Sequence, residues 1–324
     1  MTDDHNRIGS SRKITAILIS MLIAAMFLLF YGVVSQDGLA SISILILIPA
    51  ALGGLVTQYA YPKGDAPYIG CFVLPTLAIC ILIAAGVIFK NEGVICVAMV
   101  LPIWIAAAIS GAIVNKSLAK FENVDDQNNV KIRSVVWFVF PMMIFVIESE
   151  NSHDWQYREI VREVTINATP EKIWPLLNSI DSIQSFEGKP NFTQDILGVP
   201  RPNSAKIEII DQKMVRKARW GDDVSFDEKI TNFIVNKEIA WDFYFLNNSV
   251  QNHTDQHISP DGELLKVISG GYQIFHQGNG KTRLRLVTRY RMRTALPFYV
   301  GWWGEYLFGD IQMNILEIIR QRAE

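Results

Sequence analysis

Two oppositely charged residues fall on the apolar face of a predicted β-hairpin. The segments "KMVRKARW" and "DVSFDEKI" alternate in polarity as strands do, and residues 221–223 join them. If those three residues form the loop, Trp220 faces Val224 and Arg216 falls directly opposite Glu228. Since burying either charge alone is costly, the two should form an ion pair. Such a pair could anchor a ligand head group, act as an acid/base pair, or serve structure alone.

A second group of reactive side chains lies in the short segment "HTDQHISP". His257 could act as a general base oriented by Asp255, with His253 close by in sequence. Two histidines and a carboxylate could also bind a metal ion, although an ordinary solvated loop is the simpler interpretation. The catalytic candidates are therefore Glu228, His257 and Asp255, and we expect neither a metal nor a cofactor.

Aromatic side chains are numerous in the same half of the chain. Most should belong to an ordinary core, but a subset that lined a cavity would suit a flat or long apolar ligand. Together with the charged pair they make up the predicted ligand-binding set. Its members are Arg216, Trp220, Phe226, Glu228, Trp241, Phe243, Phe245, Trp302 and Tyr306.

The strand "KTRLRLVTRYRMRT" separates into an apolar face and a basic face, because alternate side chains point to opposite sides. The basic face could be solvated and partly neutralised by acids of a neighbouring strand. Alternatively it could contact anionic lipid head groups, where each basic residue contributes about 1 kcal/mol. The basic residues are Arg283, Arg285, Arg289, Arg291 and Arg293.

Strands and two helices must position these residues. The run "TPEKIWPLL" predicts a helix that Thr169 caps and Pro170 begins, directly after a strand at 158–168. We interpret Gly270 and Gly271 as a bulge within a later strand. Turn signals separate the remaining strand-like runs, which are 205–211, 213–220, 224–234, 239–246, 264–276 and 281–294.

A long amphipathic helix should follow the strands, at about 299–322. Its apolar face should contain Trp302, Tyr306, Gly309, Met313 and Leu316. The opposite, solvated face should contain Asp310, Asn314, Glu317 and Gln321. The second half of the chain is thus an α+β domain in which the antiparallel sheet buries one face against its final helix.

The first half of the chain consists of apolar runs instead. Half of the 324 residues are hydrophobic, and four runs lack any charge and are long enough to cross about 30 Å of hydrocarbon. A fifth run is shorter than a usual span. We predict an α-helical transmembrane region of four to five spans at 14–149, after a segment 1–13 and before a domain at 150–324. The runs are 14–34, 39–60, 69–89, 93–114 and 135–147.

Basic residues in the short flanks predict the orientation of the spans. They place the N-terminus in the cytoplasm of an inner or plasma membrane, and five crossings then put residues 150–324 outside, in the periplasm. If the run 135–147 only lies on the surface, that domain is cytoplasmic instead. No predicted span contains an ionisable residue, so an anchor or a bundle that binds a membrane-protein partner is favoured over a transporter.

Several function classes are excluded by the composition, the net charge and the motifs of the sequence. The net charge of −2 gives no reason to expect nucleic-acid binding. The sequence has no phosphate-binding glycine loop, no dinucleotide fingerprint and no Ser-His-Asp order. All three cysteines lie in the first half, so the second half has no disulfide framework.

The second half of the chain resembles a known superfamily of proteins. Residues 156–324 resemble the START-like, helix-grip superfamily, also labelled SRPBCC or polyketide cyclase/dehydrase and lipid transport. The segments that carry this resemblance are "INATPEKIWPLLNSIDSIQSF", "DEKITNFIVNKEIAWDFYF" and "GGYQIFHQGNGKTRLRLVTRYRM". The whole chain is similar to a bacterial subgroup with an N-terminal multi-span membrane region, through "EGVICVAMVLPIW" and through Asp255 and His257. The resemblance implies a hydrophobic cavity between the sheet and the final helix, and it implies no particular reaction.

The sequence therefore predicts a membrane-anchored domain that binds or transfers a hydrophobic, lipid-like small molecule at the bilayer surface. One alternative is a membrane-tethered cyclase or dehydrase that uses Glu228, Arg216 or His257 as acid/base groups. Another is a membrane assembly or signalling module in which the spans bind a partner.

Overall fold

The computed structural model of the chain has two compact units, whose main boundary lies between His153 and Asp154. The first unit is helical, and the second combines helices with a sheet. The residues that the structure describes are 41–90, 94–121, 127–149, 153–245, 249–250 and 259–324, together with Ile19.

Four helices form the described part of the first unit. Helix α1 (Ile48–Ala60) continues from a π-helical turn at Ser43–Leu47, and α2 (Tyr68–Lys90), α3 (Val94–Phe121) and α4 (Gln127–Ser149) follow. Their long aliphatic runs leave little polar surface, so buried residues from several helices share one core cluster.

Three helices of the described residues are long and apolar enough to cross a membrane, judged by length and composition alone. They match three of the predicted runs. Apart from Ile19, the first predicted run, 14–34, lies outside the described residues. The fifth run, 135–147, lies within α4, whose 23 residues make about 35 Å of helix, and its crossing stays a prediction. The three helices are Ser43–Ala60, Tyr68–Ile88 and Val94–Lys120.

Glycines let α1 and α3 pack backbone to backbone. A Cβ atom added to Gly53 would lie 1.9 Å from the carbonyl oxygen of Ala108. One added to Gly111 would lie 1.8 Å from the carbonyl oxygen of Ala50. Close approach through small residues is the usual way in which helices associate in lipid, where the hydrophobic effect no longer drives them together.

We expect Gly111→Val to separate α1 from α3 and to destabilise the helical unit by at least about 1–3 kcal/mol, because the added side chain meets backbone. Cys96 is buried in the core cluster of this unit, so its maleimide labelling on heating reports the loss of packing. The matched control is Ala84→Val, on an exposed position of α2. Equal labelling of the two variants would contradict the close contact of α1 and α3.

Polar side chains lie inside the helical unit as well. The Gln58 amide donates to the Ser134 hydroxyl (2.9 Å), and the Trp137 indole donates to the Asn115 side chain (3.3 Å). Arg133 is 5% exposed and also lies on α4, just before the predicted run. Arg133 precedes the predicted run 135–147, so the expectation that the predicted spans contain no ionisable residue does not extend to the whole of α4.

The second unit is built on one eight-stranded antiparallel sheet. Its order is β1-β8-β7-β6-β5-β4-β3-β2, so the first strand pairs with the last. Each long strand alternates apolar and polar residues, and one face is buried in consequence. The strands are β1 (Gln156–Ile166), β2 (Ser179–Ile180), β3 (Pro202–Ile210), β4 (Lys213–Trp220), β5 (Val224–Ile234), β6 (Glu238–Tyr244), β7 (Leu265–Gly278) and β8 (Lys281–Met292).

The helices that accompany this sheet include α5 (Pro170–Asn178), α6 (Phe192–Asp195) and the long α7 (Pro297–Ala323). Thr169 occupies the N-cap position of α5, as predicted, but its side chain makes no capping hydrogen bond to the helix backbone. Leu316 of α7 packs in one cluster with apolar residues of several strands, on what we call the inner face of the sheet. The antiparallel sheet and its long final helix match the helix-grip arrangement that the sequence predicted.

The orientation of α7 differs from the prediction. Trp302 and Tyr306 are 55% and 42% exposed, whereas Asn314, assigned to the solvated face, is completely buried. Trp303 and Gln312 are buried too. The predicted apolar face of this helix is therefore wrong at Trp302 and Tyr306, whereas Gly309 and Leu316 are buried as predicted.

The loop between β2 and β3 explains the difference. It covers the side of α7 that was expected to meet water, and it supplies hydrogen-bond partners there. The Lys189 backbone N–H donates to Asn314 (2.9 Å), and the Asn314 amide donates to Gln194 (2.7 Å). The Thr193 backbone and hydroxyl both donate to Asp310 (3.1 Å each). Polar residues of α7 are thus buried against a polar loop, which hydropathy alone does not reveal.

Candidate functional site

The hairpin of β4 and β5 has the register that the sequence predicted. Trp220 pairs with Val224 and Arg216 pairs with Glu228, across the loop at 221–223. The Arg216 Nη1 atom donates to the Glu228 Oε2 atom, and the two residues are only 5% and 4% exposed. An ion pair is therefore buried on the inner face, where the prediction placed it.

Burial shifts the ionisation of this pair. Removal from water lowers the pKa of Arg216, but the Glu228 charge and the Tyr272 side chain more than reverse this, so its pKa is raised and the guanidinium stays charged. Burial raises the pKa of Glu228, and Arg216 offsets only part of that effect. Burial likewise raises the pKa of Tyr272 to about 12. Glu228 is thus the member of the pair that changes charge more readily.

Aromatic rings surround the ion pair. The Arg216 guanidinium carbon lies 5.6 Å from the ring centre of Trp241 and 5.8 Å from that of Tyr272. Both distances fall within cation–π range. The Trp241 and Tyr272 ring centres are 5.4 Å apart, and those of Trp241 and Phe243 are 6.1 Å apart.

Two N–H groups beside the pair have no acceptor. Among the described residues, neither Arg216 Nε nor Trp241 Nε1 finds a hydrogen-bond partner, although both atoms are buried. An orphaned buried donor costs about 1–3 kcal/mol, so two donors on adjacent side chains represent a sizeable penalty. Trp241 itself is 3% exposed.

The other predicted aromatics continue from this region. Phe226 lies 5.7 Å from Trp220, 5.8 Å from Phe243 and 5.7 Å from Phe245, ring centre to ring centre. Phe243 and Phe245 stack with their ring planes 11° apart. Phe243 is only partly buried and packs against three separate apolar clusters of this unit. The structure therefore brings seven of the nine predicted ligand-binding residues together.

Trp302 and Tyr306, the other two, lie apart from the pair on the exposed side of α7. Their rings stack at 6.1 Å with planes 5° apart, and Phe192 of α6 lies 5.8 Å from Tyr306. Phe298, one turn before Trp302, is 86% exposed. An aromatic strip thus runs along the first half of α7.

The arginines of β8 are engaged by the neighbouring strand. Arg285 Nε lies 2.5 Å from a Glu163 oxygen, and Arg289 Nε lies 2.6 Å from a Glu159 oxygen. Arg283 approaches Glu163 as well, at 3.7 Å. Pairing with β1 is therefore the main role that the structure gives these three side chains.

The last two arginines of the row share one aromatic ring. The guanidinium carbons of Arg291 and Arg293 lie 4.4 Å and 4.5 Å from the ring centre of Trp155. Contact of the basic face with lipid head groups stays a prediction, and such contact would have to compete with these protein contacts.

His257, Asp255 and His253 lie outside the described residues, so their roles as base or orienting group stay predictions. Within the described residues, no group of three His, Cys, Asp or Glu side chains is placed to hold a metal ion.

Tyr272 and Gly270 are the site residues that sequence reasoning missed. Gly270 pairs with Trp241 in regular register, and a Cβ atom on it would lie 3.0 Å from the indole ring. The expected bulge at Gly270 and Gly271 is therefore wrong, since the irregularities of β7 fall at 267–269 and 276–278. Strand alternation from Gly270 would have placed Tyr272 on the inner face beside Arg216.

The second unit is thus an α+β protein in which a curled antiparallel sheet packs on a long final helix and surrounds a buried ion pair with aromatic rings. No family model and no curated protein matches the chain.

Solved structures with similar folds include the ZhuI aromatase/cyclase from Streptomyces sp. R1128, which is 14% identical with a TM-score of 0.32 and aligns over 52% of this chain and 94% of its own. Norcoclaurine synthase from Thalictrum flavum is 12% identical with a TM-score of 0.32, over 52% of this chain and 86% of its own. A conserved protein of unknown function from Enterococcus faecalis is 12% identical with a TM-score of 0.29, over 52% of this chain and 72% of its own.

Proposed function

We propose that the second unit binds an apolar, lipid-like small molecule between its sheet and α7, and that the apolar helices of the first unit anchor it to a membrane. The observation that carries this proposal is the partly buried pair of Phe243 and Phe245. Their stacked rings lie where separate apolar clusters adjoin, on the same face as the ion pair. Ring faces in such a place suit a flat or long apolar ligand.

The membrane part of the proposal rests on composition. Three described helices could cross a bilayer, and a tethered binding unit would exchange its ligand with the adjoining lipid. With five crossings the second unit would lie on the periplasmic side of the inner membrane. Accessibility of an engineered cysteine in this unit to a membrane-impermeant thiol reagent would test that side.

Native mass spectrometry of the full-length protein in mild detergent, followed by organic extraction, tests the binding proposal. We expect a lipid or isoprenoid that remains with the wild type and with Phe275→Ala, whose ring lies under arginines away from the inner face. Phe243→Ala should lose it. Retention of the same molecule by Phe243→Ala, or its absence from every sample, would contradict binding at this place.

We expect the double variant Trp302→Ala/Tyr306→Ala to take up ligand from vesicles several-fold more slowly, with little change in the amount bound at equilibrium. Exposed Trp and Tyr rings favour the bilayer interface, so they would assist contact with donor membranes. The measurement is the uptake rate of a pyrene-labelled fatty alcohol by the protein in liposomes. Tyr244→Ala, which removes a ring that is 50% exposed elsewhere, is the control. Equal uptake rates for both variants would show that the aromatic strip does not assist ligand uptake.

An enzyme is the second candidate, favoured by the buried Glu228 with its raised pKa. In that case Glu228 would exchange a proton with the bound molecule, alone or together with His257 and Asp255. Glu228→Gln keeps the size of the side chain and removes its basicity. If the wild type converts the bound molecule, and Glu228→Gln binds it equally well but does not convert it, the protein is an enzyme rather than a binding protein.

A further inference from the structure

We propose that the molecule held on the inner face presents an uncharged hydrogen-bond acceptor, such as a ketone or ester carbonyl, to the N–H groups of Arg216 and Trp241. This inference rests on the proposed function and specifies the ligand class. The molecule would combine an apolar body with one polar group that accepts hydrogen bonds.

The requirement for an acceptor follows from the two orphaned donors. Arg216 Nε and Trp241 Nε1 are buried, and the described part of the chain offers neither of them an acceptor. The residues are 5% and 3% exposed, and the guanidinium carbon lies 5.6 Å from the indole ring centre. Two buried donors on neighbouring side chains, within an aromatic surrounding, are the kind of polar group that fixes a ligand's orientation in an apolar site.

The requirement for a neutral acceptor follows from charge. Glu228 already balances the charge of Arg216, through the Nη1 atom rather than the Nε atom. A ligand carboxylate at Arg216 Nε would bring a second negative charge beside Glu228 in a place removed from water, where like charges repel strongly. A carbonyl oxygen satisfies the same donors without that repulsion.

The apolar body of the ligand has a defined neighbour. Phe243 pairs with Glu228 across β5 and β6, so its ring lies beside the ion pair on the inner face. A ligand whose carbonyl met Arg216 and Trp241 would therefore place its ring or chain against Phe243 and Phe226, which are themselves in contact.

Three probes of nearly equal shape test this inference on the full-length protein in detergent. They are 2-acetylnaphthalene, with a neutral acceptor, 2-ethylnaphthalene, with none, and 2-naphthoate, with a negative charge. Equilibrium dialysis against the same detergent solution corrects for partition into micelles. We expect the ketone to bind about tenfold more tightly than the ethyl compound, as hydrogen bonds from a charged donor would give, and also more tightly than the carboxylate.

Trp241→Phe removes one donor and keeps an aromatic ring. We expect it to weaken binding of the ketone several-fold more than it weakens binding of the ethyl compound. Trp174→Phe, which changes a buried tryptophan that packs on Phe233, is the matched control. A further readout needs no variant. The infrared carbonyl band of ¹³C-labelled 2-acetylnaphthalene should shift to lower frequency when the wild-type protein binds it.

The outcomes separate the inference from the proposed function. If the ethyl compound binds as tightly as the ketone, or the bound carbonyl band is not shifted, the acceptor site is wrong while apolar binding stands. Tighter binding of 2-naphthoate would overturn the neutral acceptor in favour of an anion. If none of the three probes binds, the proposed function fails and this inference fails with it.

Discussion

Arg216→Met should destabilise the second unit by about 3–5 kcal/mol, because it leaves the Glu228 carboxylate buried without its counter-charge. Exchange of Glu228 for leucine in the same molecule should restore most of that loss, since replacing both partners of a buried pair by apolar groups is often neutral. Hydrogen exchange of the β4 and β5 amides in the full-length protein measures the effect. A double variant that is no more stable than Arg216→Met would show that the ion pair does not act as a unit.

The destabilisation of Arg216→Met should also depend on pH. Without its partner, Glu228 keeps a raised pKa in the folded state, whereas its ordinary value is 4.5. At a pH below that ordinary value the Glu228 carboxyl group is protonated and does not destabilise the variant. As the pH rises toward the folded-state pKa, the free energy of unfolding of the variant falls. We expect the variant to approach wild-type protection near pH 4.5 and to differ most at neutral pH. A difference that does not change between these pH values would exclude the buried carboxylate as its cause.

Asn314→Leu should release the loop between β2 and β3 from α7, at a cost of about 2–4 kcal/mol. Asn314 accepts from the Lys189 backbone (2.9 Å) and from Arg201 Nη1 (3.3 Å), and it donates to Gln194 (2.7 Å). Leucine can replace none of these hydrogen bonds, and Gln194 would be left buried without one of its partners.

Faster hydrogen exchange in the peptide 188–194 would show this release, with β7 and β8 as internal references. Asn314→Asp is the matched control, because it keeps the acceptor oxygen for Lys189 and Arg201 and loses only the bond to Gln194. We expect the order of protection to be wild type, then Asn314→Asp, then Asn314→Leu. Unchanged exchange in Asn314→Leu would mean that other contacts hold this loop.

The hairpin with Arg216 and Glu228 could be predicted because its information is local. Three turn residues fix the loop, and strand alternation then fixes the pairing of Trp220 with Val224 and of Arg216 with Glu228. The run of strands and the final helix could be predicted for the same reason, since turn signals and periodicity mark each of them.

The orientation of α7 could not be predicted in this way. It depends on the loop that carries Lys189 and Gln194, more than a hundred residues earlier in the chain, which hydrogen-bonds Asn314. A polar residue buried against a polar loop has the same hydropathy as a polar residue in water. The role of Gly270 was missed for a related reason, because it becomes clear only when Trp241 is known to lie across from it.

The pairing of β1 with β8 has a consequence for synthesis of the chain. Glu163 and Arg285, which form an ion pair across these strands, are 122 positions apart. At ordinary translation rates the ribosome needs on the order of ten seconds to make that intervening stretch. During this time β3 to β7 can assemble from successive hairpins, while β1 is left with an open hydrogen-bonding edge. The earliest strand of the unit to be made is thus among the last to find its partner.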